Sequence, residues 1–590
     1  MLKNKSAFTK FLIWRYKHIS NNNFIYILAI VIGLLAGLAS VVLKNATHFI
    51  ASLFEQGSLQ NYHHLFYFLF PSVGLLLVFF ISKYILKTGV GHGIPMALFS
   101  ISQKEGKMER RNIISSLLTA PITVGFGGSV GLEGPSVATG ASVGSNIAKL
   151  FHMNPQTRKL LLVCAAAGSL SAIFKAPIAA ILFAVEVFSL DLTFASLVPL
   201  LLASISAVIT RMFFIGEQYI VNFSNIDAFK ISDLAFYALL GVLTAVVSIY
   251  FSKVYFAIER QFSKFKNQLL KVGLAGVILG VLTFAVPPLY GEGFGFMNNL
   301  IAQDHELAFS GFYFQEWLGN NWTIIGLVLG LILLKPIATA VTLSGGGVGG
   351  VFAPVLFLGA VTGSFFVNLS NSLGFNLSNS NFTMVGMAGL MAGVLHAPLT
   401  AMFLIAEITG GYQLFVPLMI SVAISFLISR SQLSYNIYTK ELKESDKLIT
   451  QDKDKAVLTL LKLDQIIETN FISLKPKMTL KKMLLQGVAK SKRNLFPVLD
   501  DEGILVGVIT LDDVREIMFD TSLYDSVLVE FLMHDPPEYI YYGKDNMQRV
   551  MNKFQNTSAW NLPVIKEGKY VGFVSKSKML TAYRRKLISY

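Results

Sequence analysis

The stretch GFGGSVGLEGPSVATGASVG, Gly125 to Gly144, decides how this chain is read. It lies among apolar segments of membrane-spanning length, yet it is rich in glycine and carries a single carboxylate, Glu133. Glycine-rich backbone at membrane depth is tolerated only where it lies inside protein or lines a watery cavity. The residues after Pro135 are small (Ser136 to Ala141) and predict a closely packed helix that starts at the proline, whose missing N–H costs little there. The unpaired N–H groups of such a first turn, with the helix dipole behind them, make a ready anion site. Glu133 stands where a tethered anion would, so the stretch reads as an anion pathway with a carboxylate in its mouth. Close packing of membrane helices, with no transport role, is the plainer alternative.

The pattern occurs twice, which favours function. Gly345 to Gly363 reads GGGVGGVFAPVLFLGAVTG, and Gly134-Pro135 matches Ala353-Pro354 at a shift of 219 positions, which sets Gly131 on Gly350. AAAGSLSAIFKAPIAAILFAVEV (Ala165 to Val187) then matches GMAGLMAGVLHAPLTAMFLIAEI (Gly386 to Ile408), with Glu186 on Glu407 at a shift of 221. Duplicated halves with Gly/Pro-interrupted helices in matching places point to a transport site at the repeat interface.

Of the 590 residues, 53% are hydrophobic and 14% charged, which indicates a multi-pass membrane protein with a soluble part attached. Apolar runs of spanning length include Phe24–Leu43, Leu65–Leu86, Ala235–Phe256, Leu269–Val286 and Thr323–Val341, with Leu197–Ile209 a further plain span. The one cysteine, Cys164, excludes a disulfide within the chain, and the scattered histidines suggest no metal centre. The net charge of +14 gathers at the N-terminus, in Lys104–Arg111 and from Lys440 onward. Basic flanks mark the cytoplasmic side, so both termini are expected there, and nucleic acid is not an expected partner. No catalytic constellation suggests an enzyme.

In chain order, residues 1–22 read as a basic lead-in and 23–440 as the membrane unit, in repeats of about 23–215 and 230–440. Residues 441–469 read as a linker, and 470–525 and 526–590 as two copies of a small α/β unit. In the latter, LFPVLDDEGILVGVITLDDV (Leu495 to Val514) matches NLPVIKEGKYVGFVSKSKML (Asn561 to Leu580), each a strand, a turn, a strand and a helix. VGHGIP (Val90 to Pro95) is a further helix start aimed inward.

These motifs resemble one family. GHGIP at Gly91–Pro95, GLEGP at Gly131–Pro135, GVFAP at Gly350–Pro354 and the Tyr438 region, in this order, are similar to the CLC chloride channels and chloride/proton antiporters; the C-terminal pair resembles tandem CBS domains. The resemblance implies an α-helical polytopic membrane protein with inverted internal repeats and broken helices, plus an α/β tandem CBS module. It implies a homodimer with a separate pathway in each subunit; the basic termini and the lack of a visible targeting signal favour a bacterial-type plasma membrane. Glu133 becomes the gating glutamate. His92, Gly131, the backbone N–H groups of Val351 and Phe352, and the Tyr438 hydroxyl become the anion-binding set, with chloride as ligand and no required cofactor.

Two positions depart from the family pattern. His92 stands where the familiar serine would, and either donates through its ring or turns away. Val187 follows Glu186 where proton-coupled members often carry a second glutamate, which leans the reading to a voltage- or pH-gated chloride channel. A chloride/proton antiporter of the same family is the alternative, and a CBS-regulated cation transporter a remote one. Glu186 and Glu407 are expected to be structural, pairing with backbone groups. In the CBS pair the resemblance implies an adenine nucleotide near Thr510 and Asp513, whereas the second copy has Lys578 in place of the acid.

Overall fold

The computed structural model describes residues 7–55, 63–87, 93–191, 193–216, 227–309, 321–440 and 461–589. The chain forms two compact units, Met1–Ser445 and Asp446–Tyr590.

The first unit is helical. Its first half contains α1 (Ala7–His18), α2 (Asn21–Glu55), α3 (His63–Phe80), α4 (Gly93–Gln103), α5 (Arg111–Gly125), α6 (Glu133–Leu150), α7 (Pro155–Phe174), α8 (Pro177–Glu186) and α9 (Phe194–Ile215). The second half contains α10 (Leu234–Ser263), α11 (Gln268–Ala285), α12 (Phe294–Ile301), α13 (His305–Ala308), α14 (Asn321–Ser344), α15 (Phe352–Ser372), α16 (Asn379–Leu395), α17 (Pro398–Ile408) and α18 (Phe415–Gln432). Among the described residues, nine helices are long and apolar enough to cross a membrane. They include every span expected from hydropathy and add α7, α15 and α18. At 35 residues α2 is about 50 Å long, well beyond a hydrocarbon core of roughly 30 Å, so it must cross at a tilt. By contrast α8 and α17, with 10 and 11 residues, reach only about halfway.

The two halves are the same design. In one, α2 packs on α7 and α9; in the other, α10 packs on α16 and α18. Small residues permit the close approaches, and they obey the sequence shifts. A Cβ on Gly140 would meet the Ala165 carbonyl oxygen at 2.6 Å, and one on Gly359 would meet that of Gly386 at 2.7 Å. Ala176 and Ala397, which precede the short helices, share backbone angles (φ −129°, ψ 79° and φ −126°, ψ 72°).

The halves also complete each other's hydrogen bonding. Gly131 N–H donates to the Gly350 oxygen (2.9 Å) and Gly350 N–H to the Gly131 oxygen (2.7 Å), an antiparallel bridge between the two equivalent glycines. Ser129 N–H donates to the Thr342 hydroxyl (3.2 Å) and Val348 N–H to the Thr123 hydroxyl (3.0 Å), again equivalent pairs. Glu186 accepts from the N–H groups of Leu399 and Thr400 (both 2.8 Å) and from the Thr400 hydroxyl (2.6 Å). Glu407 accepts from Ile178 N–H (2.9 Å) and Ala179 N–H (2.8 Å). Each acid ends one short helix and caps the N-terminus of the other, where orphan N–H groups and the helix dipole favour a carboxylate. The structural expectation for these two glutamates holds.

The second unit contains two sheets. β2 (Leu495–Leu499) and β3 (Leu505–Thr510) pair as a hairpin, and β5 (Asn561–Lys566) and β6 (Lys569–Ser575) as another. Both show an irregularity at equivalent places, Val498/Leu499 and Val564/Ile565. The second hairpin is extended by β4 (Ile540–Tyr541) and β1 (Ile467–Glu468) into the order β1-β6-β5-β4. Leu461 and Ile466 are buried with Ile540, Val550, Phe554 and Val574 in the core of this second half. The module therefore begins before the expected boundary at 470, because the first strand of the unit belongs to the last sheet. Residues 441–460 of the expected linker lie outside the described residues.

Candidate functional site

The helix predicted to begin at Pro135 begins two residues earlier. Leu132 caps α6 and its carbonyl accepts from Ser136 N–H (3.0 Å), so Pro135 is the third helical residue. The repeat is faithful: Val351 caps α15, its carbonyl accepts from Val355 N–H (3.0 Å), and Pro354 is third. Any of the first-turn positions tolerates proline, since none of their N–H groups has an intrahelical acceptor.

Glu133 thus sits inside the first turn of α6, with 0% of its surface exposed. Its carboxyl has no side-chain hydrogen-bond partner and faces the backbone N–H groups of Glu133 and Ala353. The side chain folds back onto Gly131, where Glu133 Oε2 and the Ala353 side chain occupy the space a Cβ would need. The carboxyl therefore lies between the starts of α6 and α15, at the Gly131–Gly350 bridge. A buried carboxyl without a side-chain partner is costly, and its place against two helix N-termini is what makes it tolerable.

Beside it is a cavity of about 40 Å³, lined by Gly93, Ile94 and Pro95 at the start of α4, by Gly134, Tyr255 and Leu343, by Gly349 to Val351, and by Ile437 and Tyr438. The expected inward helix start after VGHGIP is thus in place. Gly93 fits because it lies directly on Gly134, whose backbone a Cβ would meet at 2.8 Å. Tyr438 is held by a turn at Asn436, whose side chain accepts from Tyr438 N–H (3.0 Å) and donates to the Leu395 carbonyl (2.8 Å). The tyrosine is 5% exposed, and its hydroxyl has no partner.

The expected anion set divides. Val351 and Tyr438 line the cavity. The Phe352 ring turns away onto Phe174 (4.9 Å between centroids) and Phe183, which leaves only its backbone N–H as a donor. Gly131 is corrected: its N–H is spent on Gly350, so it serves the bridge and the room for Glu133 rather than an anion. His92 lies outside the described residues. Val187 caps the end of α8, buried and absent from the cavity lining.

A second acid, not anticipated, stands next to this site. Glu292 Oε1 accepts from Leu132 N–H (3.1 Å), the residue before Glu133. Its loop is laid on the glycine stretch: the Tyr290 ring covers Gly127, whose φ of +91° suits glycine, and Gly291 N–H approaches the Gly127 carbonyl (3.4 Å). Fully buried Lys335 reaches the Gly291 carbonyl (3.4 Å) and lies 4.5 Å from the Phe357 ring centre. The signal available in the sequence was GEG at Gly291–Gly293, an acid between glycines like that of GLEG.

In the second unit, Thr510 and Asp513 do come together, as a reciprocal cap on the helix Leu511–Val514. Asp513 accepts from Thr510 N–H (2.6 Å) and its hydroxyl (2.8 Å), and faces His534 Nε2 at 3.3 Å. Lys578, which replaces the acid in the second copy, donates to the Ile467 carbonyl (3.3 Å).

Residues 73–430 match the voltage gated chloride channel family, and residues 463–520 match the CBS domain. Among curated relatives, the H(+)/Cl(-) exchange transporter ClcA of Salmonella paratyphi B is 28% identical over 462 residues, covering 73% of this chain and 90% of that protein. A ClcB-like protein of Ralstonia nicotianae, named as a chloride channel, is 29% identical over 382 residues, 63% of this chain and 85% of that one. Of solved structures, a slow cyanobacterial Cl−/H+ antiporter superposes with a TM-score of 0.60 at 23% identity, covering 71% of this chain and 97% of its own. A eukaryotic CLC transporter gives 0.60 at 18% identity, over 94% and 97%. At these identities the two structures speak for the fold.

Proposed function

The chain belongs to the voltage gated chloride channel family, and from that premise we propose that it exchanges chloride for protons across a membrane. The observation that carries this reading is the buried Glu133 carboxyl, met only by backbone N–H groups and lodged between two helix starts beside a cavity. A chloride ion in the cavity meets the Tyr438 hydroxyl and the N–H groups of Val351 and Phe352, partial charges that bind it yet let it leave. An ionised Glu133 competes for the same helix ends. A proton on the carboxyl removes that attraction, releases the side chain and opens the way, so proton and anion movements are tied.

The leaning toward a channel, drawn from Val187, gives way here. Curated relatives matching 73% of the chain are named H(+)/Cl(-) exchangers, and Val187 is not among the residues lining the cavity. The same proposal has the protein as a homodimer with one pathway per subunit, and the C-terminal unit as its regulatory and stabilising part. An adenine nucleotide at Asp513 would have to share that carboxylate with Thr510 and His534.

The test is chloride and proton flux in vesicles containing the purified protein. Chloride-driven proton uptake is expected in the wild type and should fall to background in Glu133→Gln while chloride still moves. Chloride flux without any proton movement in the wild type would return the channel reading.

A further inference from the structure

We propose that Glu292 is a second proton-transfer residue, which loads and unloads Glu133 from the side away from the cavity. The inference rests on the exchanger reading. Glu292 is tied to the residue preceding Glu133 through Leu132 N–H. As a residue Glu292 is half-buried, on the loop that follows Tyr290, whereas Glu133 is fully buried. The cavity lining includes neither Leu132 nor Glu292, so the second acid reaches Glu133 from outside the cavity. A fully buried acid cannot exchange protons with bulk water unaided; a second acid beside it, on a loop nearer the surface, gives the proton a route.

The charged groups facing Glu292 are Glu133 from α6, Lys44 from α2 and Lys335 from α14, and Lys44 is itself faced by Arg211 of α9. Among the described residues no cation comes within 4.0 Å of the Glu292 carboxylate, so no direct ion pair holds it in one charge state. Lys335 spends its side-chain nitrogen on the Gly291 carbonyl and the Phe357 ring instead. In the transfer, the O–H bond of protonated Glu292 breaks and an O–H bond forms on the Glu133 carboxylate, directly or through water. Glu292 is left ionised and regains its proton from bulk solution.

The experiment measures chloride-driven proton uptake and chloride efflux in the same vesicles, from acid to neutral pH, for the wild type, Glu292→Gln and Glu292→Asp. Glutamine keeps an oxygen to accept from Leu132 N–H but cannot carry a proton. Expected is a several-fold loss of proton flux relative to chloride flux in Glu292→Gln, with a flattened pH profile, and partial recovery in Glu292→Asp. A wild-type proton flux and pH profile in Glu292→Gln overturns the proposal. An equal loss of both fluxes also overturns it, because a merely structural residue would behave so. Should the glutamine variant fail to fold, an unaltered pH profile in Glu292→Asp overturns it and a displaced one supports it. A wild type that moves chloride but no protons removes the exchanger reading and this inference together, and is told apart by the control alone.

Discussion

Tyr438 is buried with a hydroxyl that the protein leaves unmatched, and Glu133 with a carboxyl that only backbone N–H groups face. A folded chain rarely accepts that cost unless a ligand recovers it. Tyr438→Phe removes the orphan hydroxyl without changing shape, so it should leave thermal stability intact or slightly higher. Chloride affinity measured by titration calorimetry should fall by roughly three- to tenfold, the value of one hydrogen bond of about 0.5–1.5 kcal/mol. Unchanged affinity would remove Tyr438 from the site. Both residues were legible in the sequence, Glu133 because an acid among membrane glycines is conspicuous, Tyr438 through the family resemblance. Glu292 was not, since its partner Leu132 lies 160 positions away and no periodicity links them. Gly131 was misjudged for the same reason: what its N–H meets is the distant Gly350.

Among elements, the short helices α8 and α17 depend on each other through Glu186 and Glu407. Replacing Glu407 by Gln substitutes a neutral acceptor at the start of α8, and Glu407→Ala removes it. The alanine variant should lose about 1–3 kcal/mol, the cost of leaving the donating N–H groups of Ile178 and Ala179 unmet, and melt at lower temperature in detergent, with glutamine intermediate. A melting point equal to wild type in both would show that these caps carry no stability. The repeat shifts of 219 and 221 made the equivalence of these elements readable, and small residues at Gly140 and Gly359 made close packing readable. What spacing could not show is that equivalent groups bond across to the opposite half, as Thr123 and Thr342 also do. A pseudo-twofold relation between the halves brings them together.

At the scale of the molecule, the spans and the doubled hairpins could be read directly, whereas the start of the C-terminal unit could not. Composition turns polar before 470, yet Leu461 and Ile466 bury in the core of the second hairpin and β1 pairs with β6. A fragment of residues 461–590 should therefore unfold cooperatively on heating, followed by circular dichroism. One of residues 471–590 lacks that strand and two core side chains and should be markedly less stable, each lost large aliphatic side chain costing about 2–5 kcal/mol. Equal melting of the two fragments would place the boundary back at 470.

The bridge between Gly131 and Gly350 joins two copies of one motif, of which only one carries an acid. The position equivalent to Glu133 is Phe352, whose ring is packed away between Phe174 and Phe183. A frame with matching halves has been given one movable charge, on one side only, and so has acquired polarity. Turned around in its bilayer, this protein would not be its own mirror: acidifying one compartment and acidifying the other should be felt unequally, and vesicles with a single insertion sense should rectify.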